Sequence, residues 1–149
     1  MSGPNSYDYA VVRVVPRVER EEFINVGVIL FCRSRRFLKA RICLDRQRLA
    51  LLNPRLNPEE VERHLALIPL ICAGGPEAGP IGRLPLADRF HWLVAPRSSI
   101  IQTSPVHTGL CTEPDQVLNH LLETMVCPPM ESKPESEESG RKLIHPNDT

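Results

Sequence analysis

Three apolar stretches follow one another closely at the start of the chain, and their patterning differs in an informative way. Tyr7 to Val15 (YDYAVVRVV) is aromatic and β-branched, which predicts a strand that Pro16 stops. The charged connector RVEREEF leads into Asn25 to Cys32 (NVGVILFC), apolar on both faces as a central, doubly covered strand would be. Asn25 and Gly27 interrupt that run, and predict either a β-bulge or a close approach of backbone, with Asn25 also able to reach a ligand or partner strand. After an arginine-rich turn, Phe37 to Leu44 alternates strictly. Leu38, Ala40, Ile42 and Leu44 share one face, and Phe37, Lys39, Arg41 and Cys43 the other. Strands this close in sequence predict an antiparallel meander.

Helical periodicity takes over beyond Asp45, which can cap a short helix through Leu52. Asn57-Pro58-Glu59-Glu60 carries a cap, a proline at the first position and acid in the first turn, with Val61, Leu65 and Ile68 then recurring at helical spacing. Pro69 should kink or end that helix. Gly74 to Gly82 (GGPEAGPIG) reads as a loop, Leu86 to Val94 as a short helix with a strand as the alternative, and Ser98 to Thr103 as a strand. Thr112 or Glu113 opens a last helix with Val117, Leu118, Leu121, Leu122 and Met125 on one stripe. The expected architecture is α+β: an antiparallel sheet, made of the meander plus a later strand, with three to four helices packed on one side. A single domain over 7–127 is flanked by a disordered start (1–6) and a polar, disordered tail (128–149), the latter rich in Glu, Ser, Lys and Pro.

Composition narrows the classes. At 42% hydrophobic and 24% charged, with zero formal net charge, the chain lacks a global field that would draw it to nucleic acid or membrane. No apolar run approaches bilayer length and no secretory pattern opens the chain, so a cytoplasmic protein with no membrane partner is expected. Its five cysteines are scattered and never form C-x-x-C, which argues for reduced thiols rather than disulfides or structural zinc. No metal and no cofactor are expected: HExxH is absent, and GGPEAGPIG has neither phosphate-cradle order nor a following Lys-Ser/Thr.

One local charge feature stands against this neutrality. Arg33, Arg35, Arg36, Lys39 and Arg41, continued by Arg46, Arg48 and Arg55, face a single acid, Asp45, within the same stretch. Such a strip is an anion site for nucleic-acid backbone or an acidic partner, unless the acids of REE or EEVE fold back onto it. Phe37 is the only aromatic there, which gives little for bases to stack upon.

Pro96 to Gly109 (PRSSIIQTSPVHTG) sets polar side chains around two isoleucines. Turn chemistry accounts for Thr103, Ser104 and Thr108, whose hydroxyls can bond local backbone. Arg97, Ser98 and Gln102 are less well explained that way. Ser98 or His107 could serve a hydrolase or nuclease, with an acid such as Asp88 or Glu19 nearby, but no G-x-S-x-G elbow is present and no catalytic residue is assigned.

The stretches YDYAVVRVVPRVEREEFINVGVILFC (7–32) and RFHWLVAPRSSIIQTSPVHTGLC (89–111) resemble a family of short bacterial proteins, domain of unknown function 3037. Carried onto this chain, the resemblance marks Arg13, Asn25, Arg97, Ser98, Gln102 and Ser104 among its polar positions. With His107, these form the expected ligand- or partner-binding set. The resemblance also implies an accessory role beside a serine/threonine kinase of the HipA class. The expected function is therefore a small, non-enzymatic, partner-binding regulatory domain. A nucleic-acid-binding regulator using the arginine-rich segment 33–55 is the second reading, and a hydrolase or nuclease using Ser98 or His107 the third.

Overall fold

The computed structural model describes residues 3–97, 99–127 and 141–144. Three long strands form the meander: β1 (Asn5–Arg17), β2 (Glu22–Cys32) and β3 (Phe37–Asp45). Helices α1 (Arg46–Leu52), α2 (Pro58–Ala73) and α3 (Leu86–Leu93) follow, then β4 (Ile101–Thr103), β5 (His107–Cys111), α4 (Pro114–Met125) and β6 (Arg141–Ile144). All pairings are antiparallel, in the order β4-β1-β2-β3-β6. β4 pairs with Val12–Val14 and β5 with Asn5–Tyr9, so the two occupy successive halves of β1.

The α+β class, the meander and the later strand are as the sequence predicts. The helices, however, divide between the faces. Leu49 of α1, Val61, Leu65 and Ile68 of α2, and Phe90 and Leu93 of α3 pack on Val12, Val14, Ile29, Phe31, Leu38, Ile42 and Leu44. On the other face Leu118 and Leu121 of α4 meet Val28, Leu30, Cys32 and Cys111.

A bulge makes this two-sided burial of β2 possible. Val12 pairs with Gly27 but Arg13 with Asn25, which leaves Val26 as the extra residue. Ile24 and Val26 therefore face the same way as Ile29 and Phe31, while Val28, Leu30 and Cys32 face α4. Gly27 also permits the close approach expected of it: an added Cβ would lie 2.5 Å from Ile42 Cδ1 and 2.7 Å from the Arg41 carbonyl oxygen.

Helix starts follow the caps. The Asp45 carboxylate accepts from the Gln47 and Arg48 amides, and Asn57 from Glu59, ahead of Pro58. Pro69 does not end α2, which continues to Ala73. Pro69, Ile68, Ile71 and Cys72 are all buried, and this packing offsets the lost hydrogen bond. The segment read as a loop forms short 3-10 turns over Pro76–Arg83, broken at Gly79 (φ 70°). Pro16 does not stop β1; it sits where the register slips between Val14 and Arg17, a place where a strand needs no proline donor.

Two strands escape the sequence reading. β5 lies in what reads as a strand end and turn, because Pro105 and Gly109 break the pattern. Gly109 is required there, since the Tyr7 ring occupies the space of a Cβ, at 2.5 Å. β6 falls within the segment expected to be a disordered tail, and pairs Arg141–Ile144 with Asp45–Ile42 of β3. An open strand edge offers a row of donors and acceptors that even a short segment can take up.

Candidate binding groove

Between α2, α3 and β4 the structure forms a groove of about 380 Å³. From α2 come His64, Leu67, Ile68 and Ile71, at the i, i+3, i+4, i+7 spacing that places them on one helix stripe. Trp92 and Leu93 come from the end of α3, and Arg97 together with the chain from Ser99 to Thr103 forms the opposite wall. The size lies at the lower end of the range for ligand sites. Its apolar contacts are not closed off: Leu67 is 48% and Trp92 40% exposed.

Arg97 shapes the rim. Its Nη1 donates to the carbonyls of Leu93 (3.1 Å) and Ala95 (3.3 Å), and Nη2 to that of Trp92. Those bonds satisfy carbonyls at the end of α3 that the helix leaves unpaired. The same guanidinium stacks on the Trp92 ring, 4.4 Å from its centroid. Local bonds hold the facing wall: Gln102 Nε2 donates to the Ser99 carbonyl, Ser99 Oγ to that of Ile101, and Thr103 Oγ1 to that of Val94.

The residues expected to form one polar cluster do not all come together. Arg13 is the strand partner of both Asn25 on β2 and Gln102 on β4, so these three make a row across the sheet. Within the row the Arg13 guanidinium lies over the Phe23 ring (4.1 Å), and Asn25 Nδ2 donates to the carbonyl of Met125 at the end of α4. Arg13 Nε and Asn25 Oδ1 are buried with no hydrogen-bond partner among the described residues. Arg97 belongs to the groove, and Gln102 touches both groups. Ser104 serves the sheet: it is buried, and its Oγ accepts from the Val11 amide and donates to the Pro105 carbonyl. His107 is exposed at the start of β5, its ring against Tyr9 at 5.3 Å. Ser98 lies outside the described residues.

The basic strip is divided as well. Arg33 and Arg36 flank Phe31, Leu86 and Ala87 on the α3 side. On the α4 side Arg35 donates to the Thr112 carbonyl (2.7 Å), Lys39 pairs with Asp115 (3.4 Å), and Arg41 is half-buried with its Nε enclosed. Farther along, Arg46 forms an ion pair with Glu62, one of the EEVE acids, and Arg48 lies beside Glu21 and Glu22.

Sequence reasoning missed His64, Leu67, Ile71 and the role of Trp92. The available signal was an excess of apolar residues on α2, more than one buried stripe needs, together with the chain's only tryptophan.

Over residues 9–126 the chain matches the pattern of a family described as protein of unknown function (DUF3037). The chain belongs to that family. The DUF3037 match runs from β1 to just past α4 and takes in the whole groove and the Arg13–Asn25–Gln102 row. No curated protein and no solved structure matches the chain.

Proposed function

We propose that this DUF3037 chain is a non-enzymatic, cytoplasmic binding domain that regulates a partner protein by holding one of its apolar segments in the α2–α3–β4 groove. The observation that carries this reading is the exposed Trp92, stacked on Arg97 beside Leu67 and Ile71. Tryptophan and arginine are the side chains that most often anchor protein interfaces, and an open apolar groove marks an interaction site. Five cysteines outside any disulfide suit a reducing compartment. The division of the basic strip between two faces favours a protein partner over nucleic-acid backbone, which needs a continuous positive track.

The first partner to test is a HipA-class serine/threonine kinase co-expressed with the domain. The pair should co-purify, and Trp92→Ala should weaken the complex at least about tenfold, in keeping with loss of an interface anchor. Leu110→Ala, at an exposed position outside the groove, should leave it intact. Failure of the wild-type domain to co-purify rejects the kinase; a complex indifferent to Trp92→Ala rejects the groove.

A further inference from the structure

We infer that the groove recognises a carboxylate beside its apolar contact, so that its occupant is an amphipathic helix carrying a Glu or Asp side chain next to an apolar stripe. This rests on the groove reading above and specifies the chemistry of its partner. Two observations carry it. The first is charge: among the described residues the lining contains Arg97 and His64 and no Asp or Glu. An apolar segment bearing an acid is complementary to that lining, and one bearing a lysine is opposed by it.

The second is the hydrogen-bond arithmetic of Arg97. A guanidinium has five N–H donors, and three hydrogen bonds to the carbonyls of Trp92, Leu93 and Ala95 leave two, Nε–H and one on Nη2, uncommitted among the described residues. Two donors on one planar fork match the two oxygens of a carboxylate. The stacking on Trp92 and the three carbonyl bonds already hold the side chain in place, so little rotamer freedom remains to be lost when a ligand arrives. A helix is favoured over a chain terminus by the shape of the site. His64 to Ile71 presents about two turns of α2 as a continuous stripe, the counterpart of the i, i+3, i+4, i+7 anchors of a helix laid in a groove.

The test uses the full chain and its own reporter, because Trp92 is the only tryptophan. The probes are acetylated and amidated Leu/Ala/Lys amphipathic helices of about 14 residues, long enough to hold helical structure. They differ at one position beside the leucine stripe, which is Glu, Gln or Lys. Titration followed by Trp92 fluorescence should show the Glu helix binding about tenfold more tightly than the Gln helix, as expected for a charge-assisted pair, with the Lys helix weakest. Arg97→Gln should abolish the preference for Glu, so that the Glu and Gln helices bind with equal affinity. Because Arg97 also caps α3, Arg97→Lys provides a second variant that retains the charge without the fork, and it should reduce the preference.

Equal binding of the Glu and Gln helices overturns the carboxylate inference and leaves the groove itself standing. A Gln helix with a free C-terminal carboxylate that binds better than the capped Glu helix overturns the assignment to a side chain. No fluorescence change with any helix also overturns the inference, whereas the groove reading is judged separately by co-purification with and without Trp92→Ala.

Discussion

Ser104 and Val11 are joined by two hydrogen bonds that finish the pairing of β1 where β4 turns away. The Ser104 amide donates to the Val11 carbonyl at 2.8 Å, and the Ser104 hydroxyl accepts from the Val11 amide at 2.9 Å. A side-chain oxygen thus takes the place of the backbone acceptor that the ladder would otherwise supply. Ser104→Ala removes that acceptor and leaves the Val11 amide buried and unpaired, at a cost of about 1–3 kcal/mol. Urea unfolding should show a lower midpoint with an unchanged slope, and peptide binding in the groove should be retained.

What the sequence discloses and what it conceals divide along physical lines. The faces of β3 were legible because side chains alternate with a period of two, and Asp45 and Asn57 were legible because a cap acts on amides within three residues of it. The groove was not legible in the same way, since it joins residues near 64–71 to residues 92–103, and the α2 stripe has the composition of core. Arg97 and Gln102 could be singled out as polar residues among apolar ones. Their placement on one groove, with Gln102 also beside Arg13 and Arg97 stacked on Trp92, depends on strand register and on where α3 ends. The Arg13–Asn25 pairing depends further on the bulge at Val26, which shifts register by one residue. β6 was concealed because four residues contribute little to the composition of a long polar segment.

Gly27→Ala tests the bulged crossing of β2 and β3. The new Cβ would press on Ile42 Cδ1, which can rotate, and on the Arg41 carbonyl oxygen, which cannot retreat without disturbing β3. Overpacking of this kind costs about 1–3 kcal/mol. Amide exchange should speed up in β3 and at the matching positions of β2, with smaller changes in α4.

The Arg46–Glu62 ion pair is asymmetric, with side-chain exposures of 38% and 9%. Removing the exposed partner leaves a buried carboxylate, whose second oxygen already has no hydrogen-bond partner among the described residues. Arg46→Met should therefore destabilise the fold, by about 1–2 kcal/mol once solvent screening of the exposed guanidinium is allowed for. Adding Glu62→Leu should recover most of that loss, because the unpaired charge is then gone. A double-mutant cycle on urea midpoints measures the coupling directly.

Burial controls the thiols. It pushes Cys72 up to about 12 against the opposing influence of Arg89, and it raises Cys111 with a further contribution from neighbouring Cys32. Thiolate is the reactive form, so both should alkylate more slowly in the folded protein than in the urea-unfolded chain, where burial is lost. The same shift sets a pH dependence of stability. With the folded-state value above the ordinary 9.0, the unfolded chain loses its Cys72 proton first as pH rises. The contribution of Cys72 is therefore complete below pH 9.0 and is lost progressively toward pH 12, by roughly 1 kcal/mol per pH unit inside that window. Urea midpoints measured across the lower part of the window should fall more steeply for the wild-type chain than for Cys72→Ala, and equal slopes would show that the buried thiol is not the group responsible.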